Sequence, residues 1–145
     1  MHQNKKDYAY GCIIFNDIQN PTHVVLVHHA SGHIAFPKGH KEGDEDTIIA
    51  MRREVKEETG ITDVVLVDAE PLVERYSFKT DGIKYEKEVL FWIGSAPMHD
   101  TELQPELPDV VRAWWCSLAD VAKTLTYTES YALYNKSLDI IQHHL

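Results

Sequence analysis

Three glutamates, Glu54, Glu57 and Glu58, stand at spacings of i, i+3 and i+4. Residues 45–59 contain neither proline nor glycine and lie between Gly43 and Gly60. The stretch therefore reads as one helix with the three carboxylates on one face. Like charges at that spacing cost a helix about 0.2–0.5 kcal/mol per pair. A hard divalent cation would offset the repulsion. Mg2+ takes carboxylate and phosphate oxygens while keeping several waters, and it polarises phosphoryl groups and lowers the pKa of bound water. Arg53, beside Glu54, carries a planar fork suited to fixing a carboxylate. Gly39, at the entrance to the helix, leaves a bare backbone whose carbonyl can approach an ion. Ile48, Met51 and Val55 fall on a different stripe, predicted to face a core. A solvated acidic face is the plainer reading of any glutamate-rich helix, and the wider spacing decides against it.

That spacing runs over residues 39–61 as G-x5-E-x7-R-E-(aliphatic)-x-E-E-x-G-(aliphatic), from Gly39 through Glu45, Arg53, Glu54, Val55, Glu57, Glu58 and Gly60 to Ile61. Seven places are identical and two aliphatic, which chance supplies at about 10⁻⁹ to 10⁻¹⁰ per starting position. The segment resembles the signature of the Nudix hydrolases. The resemblance implies an α/β (α+β) fold, an α/β/α sandwich with a mixed central sheet. It also implies Mg2+-dependent hydrolysis of a diphosphate bond, with Mn2+ as a substitute ion. Glu54, Glu57, Glu58 and the Gly39 carbonyl are the expected metal ligands, and Arg53 is expected to orient carboxylates.

Flanking residues carry the substrate signal. Phe36-Pro37-Lys38-Gly39-His40, followed by Glu42-Gly43-Asp44-Glu45, is similar to the entrance of the asymmetric diadenosine tetraphosphate hydrolases. Lys38 and His40 flank the loop, where each can neutralise phosphate oxygen. Lys87 matches a phosphate-contacting lysine of that group, and Tyr76 and Tyr127 match its two base-stacking positions. Ile34 departs from the group, which commonly carries a tryptophan there, and the loop at residues 79–85 is longer. The implied substrate is diadenosine tetraphosphate, split to ATP and AMP. A nucleoside triphosphate, an RNA 5′ end and a nucleotide-sensing module without turnover remain alternatives. The general base is expected to be Glu54, with Glu106 and Asp109 as loop candidates.

A formal net charge of −9 argues against nonspecific binding to nucleic acid or anionic membrane. An anionic substrate then needs local positive charge, from lysines and a bound cation. The 145 residues suit one domain over positions 1–145, as a monomer or homodimer. Two cysteines, Cys12 and Cys116, are too few for a disulfide scaffold and read as reduced core residues. Residues 1–7 are polar, no apolar run reaches a membrane span, and the cytoplasm is the expected location.

The elements that must position these groups follow from local pattern. Residues 8–15 and 23–28, separated by a turn with Asp17, Asn20 and Pro21, read as a β-hairpin. Residues 64–78 hold strand runs interrupted near Pro71, and residues 80–82 turn into a strand at 85–93. Residues 110–116 form a strand with Trp114 and Trp115 on opposite faces. Ser117 and Asp120 resemble a capping box for a helix at 118–123, and residues 128–144 read as a closing helix. The histidines His28, His29, His33, His143 and His144 lack a zinc-ligand spacing and read as structural.

Overall fold

The computed structural model describes residues 4–145. Two long strands, β1 (Asn4–Phe15) and β2 (His23–His29), leave the first turn and meet at Phe15 and Val24. Above that point they diverge, so the predicted hairpin exists only at its base. β1 instead runs parallel to β7 (Ile83–Ser95), from Asn4 opposite Lys84 to Phe15 opposite Ser95. β2 runs antiparallel to β8 (Val110–Ser117). Two short strands line the facing edges of the split: β3 (Ile34–Ala35) on β2 and β4 (Lys38–Gly39) on β1. β5 (Val65–Leu66) and β6 (Leu72–Thr80) pair with β7. The sheet is mixed because β1 and β7 are parallel while every other pairing is antiparallel.

Continuous apolar runs make the centre of this sheet. Val24, Val25, Leu26 and Val27 of β2 are all fully buried, as are Cys12 to Phe15 of β1, which fits strands covered on both faces. Ile13, Phe15, Leu26, Phe91 and Trp114 pack toward α3 (Thr128–His143) through Leu133, Tyr134 and Ile141. Cys12, Ile14, Val25, Trp92 and Trp115 pack on the other face toward α1 (Thr47–Thr59) through Ala50, Met51 and Val55. This is the expected α/β/α sandwich, with Trp114 and Trp115 on opposite faces. Cys12 and Cys116 are free, buried and in different cores.

Helix α1 begins two residues later than the sequence pattern predicts, after Asp46. Its buried stripe is Ala50, Met51 and Val55, whereas Ile48 is 37% exposed, one turn too early to reach the sheet. Burial of Met51 and Val55 contributes about 1.5–3 kcal/mol each. The helix stops at Gly60, whose φ of 81° is left-handed and whose N–H donates to the Lys56 carbonyl at 2.8 Å. A 3-10 turn (Leu118–Asp120) and the short α2 (Val121–Thr124) replace the single predicted helix. Ser117 makes no side-chain capping bond, and the Asp120 carboxylate pairs with Lys123 at 3.0 Å instead. No helix among the described residues is long and apolar enough to cross a membrane.

Candidate active site

Arg53 organises the acidic face of α1. Its Nε and Nη2 grip Glu45 at 2.9 and 3.0 Å, a bidentate pairing. Nη1 donates to Glu54 at 3.0 Å and to Glu57 at 3.2 Å, and Nη2 also donates to the His40 carbonyl at 2.7 Å. One guanidinium thus ties the helix to the loop that precedes it. These bonds hold the Glu45 carboxyl below its usual range, with the Arg53 hydrogen bond the largest influence. Glu54 is pulled the other way: burial raises its pKa more than Arg53 lowers it. Gly39 lies against the Glu54 carboxylate so closely that a Cβ there would overlap it.

Glu58, one turn on, is 4% exposed. Its Oε1 accepts a hydrogen bond from the Lys38 backbone N–H at 2.9 Å, which fixes β4 against α1. Burial pushes its pKa up to about 8, and the neighbouring Glu54 charge adds to the rise. Its Oε2 lies 3.7 Å from His29 Nε2, a buried nitrogen without a hydrogen-bond partner. Burial pushes His29 down to about 4, so the two groups do not form an ion pair at neutral pH. His29 also stacks on His33 with centroids 4.4 Å apart. A histidine read from sequence as structural therefore borders the acidic cluster.

The β1/β2 split opens a cleft of about 330 Å³ lined by Gly39, His40, Glu54, Glu58, Lys87 and Asp109. A second cavity of about 460 Å³ lies beside it, walled by Tyr76 and Tyr127 and floored by Ala35 and Phe91. Lys38 and Lys87 line both, so they stand between the carboxylates and the aromatic cavity. The Lys38 ammonium sits 5.7 Å from the Tyr76 ring centroid, and burial lowers its pKa, with the Lys87 charge adding to the drop. His40 and Lys87 share one counter-ion, Asp7, at 2.9 and 3.6 Å.

Eleven of the twelve candidate site residues named from sequence line these two spaces or the acidic face beside them. Glu106 does not: its carboxylate pairs with Lys56 at 2.8 Å, and both side chains are about half exposed. Its backbone N–H instead donates to the Glu57 carbonyl at 2.8 Å, which anchors the loop to α1. Asp109 is the loop acid that faces the cleft. Sequence reasoning missed Asp7, which lies in a polar run before the predicted strand, and Glu74 and Glu129 of the aromatic cavity. Alternation in β6 could have found Glu74, since it shares a face with Tyr76. Among the described residues no three ligating side chains converge on one point, because Arg53 draws Glu54 and Glu57 toward itself. The donor set still fits a hard cation, being carboxylate and carbonyl oxygen only, with excess negative charge and a carbon-free cradle at Gly39.

The NUDIX domain family matches residues 5–136. The chain belongs to the Nudix family. With membership comes the enzyme class, a pyrophosphohydrolase, and the general use of divalent metal ions by Nudix hydrolases. The chain is 29% identical over 131 residues to the asymmetrical bis(5′-nucleosyl)-tetraphosphatase of Caenorhabditis elegans, covering 88% of this chain and 91% of that Nudix protein. It also resembles the crystal structure of a C. elegans Ap4A hydrolase binary complex, with a TM-score of 0.72 and 26% identity over 90% of this chain and 93% of the other. The Escherichia coli dihydroneopterin triphosphate pyrophosphohydrolase shares the Nudix fold, with a TM-score of 0.68 at 15% identity over 94% and 95% of the two chains.

Proposed function

We propose that this Nudix enzyme hydrolyses a dinucleoside polyphosphate, with diadenosine tetraphosphate split to ATP and AMP, using Mg2+. The observation that carries this reading is that the two neighbouring spaces share Lys38 and Lys87. The cleft that holds the carboxylates and the cavity walled by two tyrosines have these lysines as their common wall. A polyphosphate needs the carboxylates and the lysines, and a stacked base needs the tyrosines. The similarity to an asymmetrical tetraphosphatase supports the same substrate.

Mg2+ or Mn2+ would be held by Glu54, Glu57, Glu58 and the Gly39 carbonyl, where it supplies charge to the phosphoryl oxygens and acidifies water. The chain's own groups do the rest. Lys38 and Lys87 bind phosphate oxygen and set the length of chain between base and cleaved bond. His40, oriented by Asp7, closes the loop side of the cleft. Arg53 keeps Glu54 and Glu57 in place through a fork that Glu45 anchors. Glu54 takes the proton from the attacking water; burial raises its pKa, which favours proton uptake. Glu106, paired with Lys56, steadies the loop that presents Asp109.

Incubation with diadenosine tetraphosphate and Mg2+ tests the reading. Equimolar ATP and AMP are the expected products. Turnover restricted to deoxynucleoside triphosphates, releasing diphosphate, would overturn it.

A further inference from the structure

We propose that Glu74 is a specificity-determining residue that accepts a hydrogen bond from the exocyclic amino group of a purine seated between Tyr76 and Tyr127. The inference rests on the nucleotide reading of the site and names the base chemistry that reading leaves open.

Strand alternation carries Glu74 into the cavity. It stands two residues before Tyr76 on β6, so both side chains leave the same face of the sheet. Ala35 and Phe91 make the floor, and Lys38 and Lys87 occupy the side shared with the carboxylate cleft. The next basic residue, Arg75, points to the opposite face and pairs with Glu88 at 3.0 Å. Among the described residues no ion pair takes Glu74, although it is partly buried in a cavity that Lys38 and Lys87 also line. Burial raises its pKa, and the Lys38 charge offsets part of that rise. A partly buried carboxylate that no protein donor takes leaves its oxygens to a ligand N–H or to water. Glu129 adds a second, exposed acceptor at the mouth of the same cavity.

An ionised carboxylate only accepts hydrogen bonds. It matches an amino group and opposes a carbonyl oxygen, as glutamate does when it takes the amino group of a base. Hypoxanthine lacks both purine amino groups: it has an oxo oxygen where adenine has its amino group and hydrogen where guanine has its own, and its ring N1–H is one that guanine shares, so GMP and IMP differ by the amino group alone. The three purine monophosphates therefore read out Glu74 directly, and none needs to be cleaved.

Titration calorimetry of AMP, GMP and IMP against the wild-type chain and Glu74→Gln tests the inference. The wild type is expected to bind an amino purine at least about tenfold more tightly than IMP, the effect of one hydrogen bond to a charged group. Preference for AMP assigns the 6-amino group, and preference for GMP the 2-amino group. Glu74→Gln is expected to bring the ratio close to one, because an amide also donates to an oxo oxygen. Equal wild-type affinity for all three, no measurable binding, or a variant that weakens all three alike would overturn it. The last result is what a plain counter-charge to Lys38 would give. Cleavage of diadenosine tetraphosphate in the same preparations separates the claims. Base preference without cleavage contradicts the proposed substrate alone; cleavage without base preference contradicts the role of Glu74 alone.

Discussion

The acidic face of α1 and the aromatic cavity are built on opposite plans. Every carboxylate of the first comes from 14 consecutive positions, Glu45 to Glu58, and one guanidinium joins three of them. The second draws Tyr76 from β6, Lys87 from β7 and Tyr127 from the turn before α3. Tyr127 is half exposed, and its ring lies 6.2 Å from His33 rather than in a packed core. On the proposed reading the contiguous, mutually bonded set carries the chemistry. On the same reading the set gathered from distant strands selects the substrate.

The largest effect should come from breaking the first region. Glu54→Gln is expected to lower single-turnover rates about 10²–10⁴-fold, the size of a general-base contribution. Glu106→Gln, whose carboxylate only pairs with Lys56, should change them less than about tenfold, and Asp109→Asn should fall between the two. If Glu106→Gln proves the more damaging, the base lies on the loop. Next comes the scaffold. Arg53→Lys keeps the charge but loses the fork, and should weaken Mn2+ binding about 10–100-fold by titration, as loss of an orienting partner does.

Changes in the second region should be milder and of another kind. Tyr127→Ala removes one stacking face, worth ~1–3 kcal/mol per base. KM for diadenosine tetraphosphate should rise about 5–150-fold while kcat stays near the wild-type value. The smallest effect is thermodynamic. Glu58 keeps its proton in the folded protein up to about pH 8, whereas the unfolded chain releases it near 4.5. Metal-free stability should therefore fall as pH rises through that window. His29, pushed down to about 4, works in reverse between 4 and 6.5, since only the unfolded chain is protonated there. Between pH 6.5 and 8 the Glu58 decline is no longer opposed by His29. Urea midpoints measured with EDTA should drop across that range, and Mg2+ should flatten the slope.

The same contrast explains what could be read from sequence. Helix α1 was legible because its periodicity, boundaries and acids are local, and only its first turn and Ile48 were misjudged. The β1/β2 split was not legible. Both strands are buried on two faces, so neither alternates, and nothing local says which partner each will choose. Asp7 and His29 were missed for the same reason: each reaches the site only through a strand pairing. Tyr76, Lys87 and Tyr127 came from resemblance, and the fold places all three in one cavity. Ser117 and Asp120 have the letters of a capping box but stand before and at the end of a 3-10 turn.

A matrix of kcat and KM for wild type, Glu54→Gln and Tyr127→Ala, each with diadenosine tetraphosphate and dGTP, tests most directly whether one region sets the reaction and the other the substrate. The account predicts that Glu54→Gln lowers kcat for both substrates by the same factor. It predicts that Tyr127→Ala leaves kcat in place while the preference for the dinucleotide shrinks. Loss of turnover on both substrates in Tyr127→Ala, or retained turnover in Glu54→Gln, would contradict it.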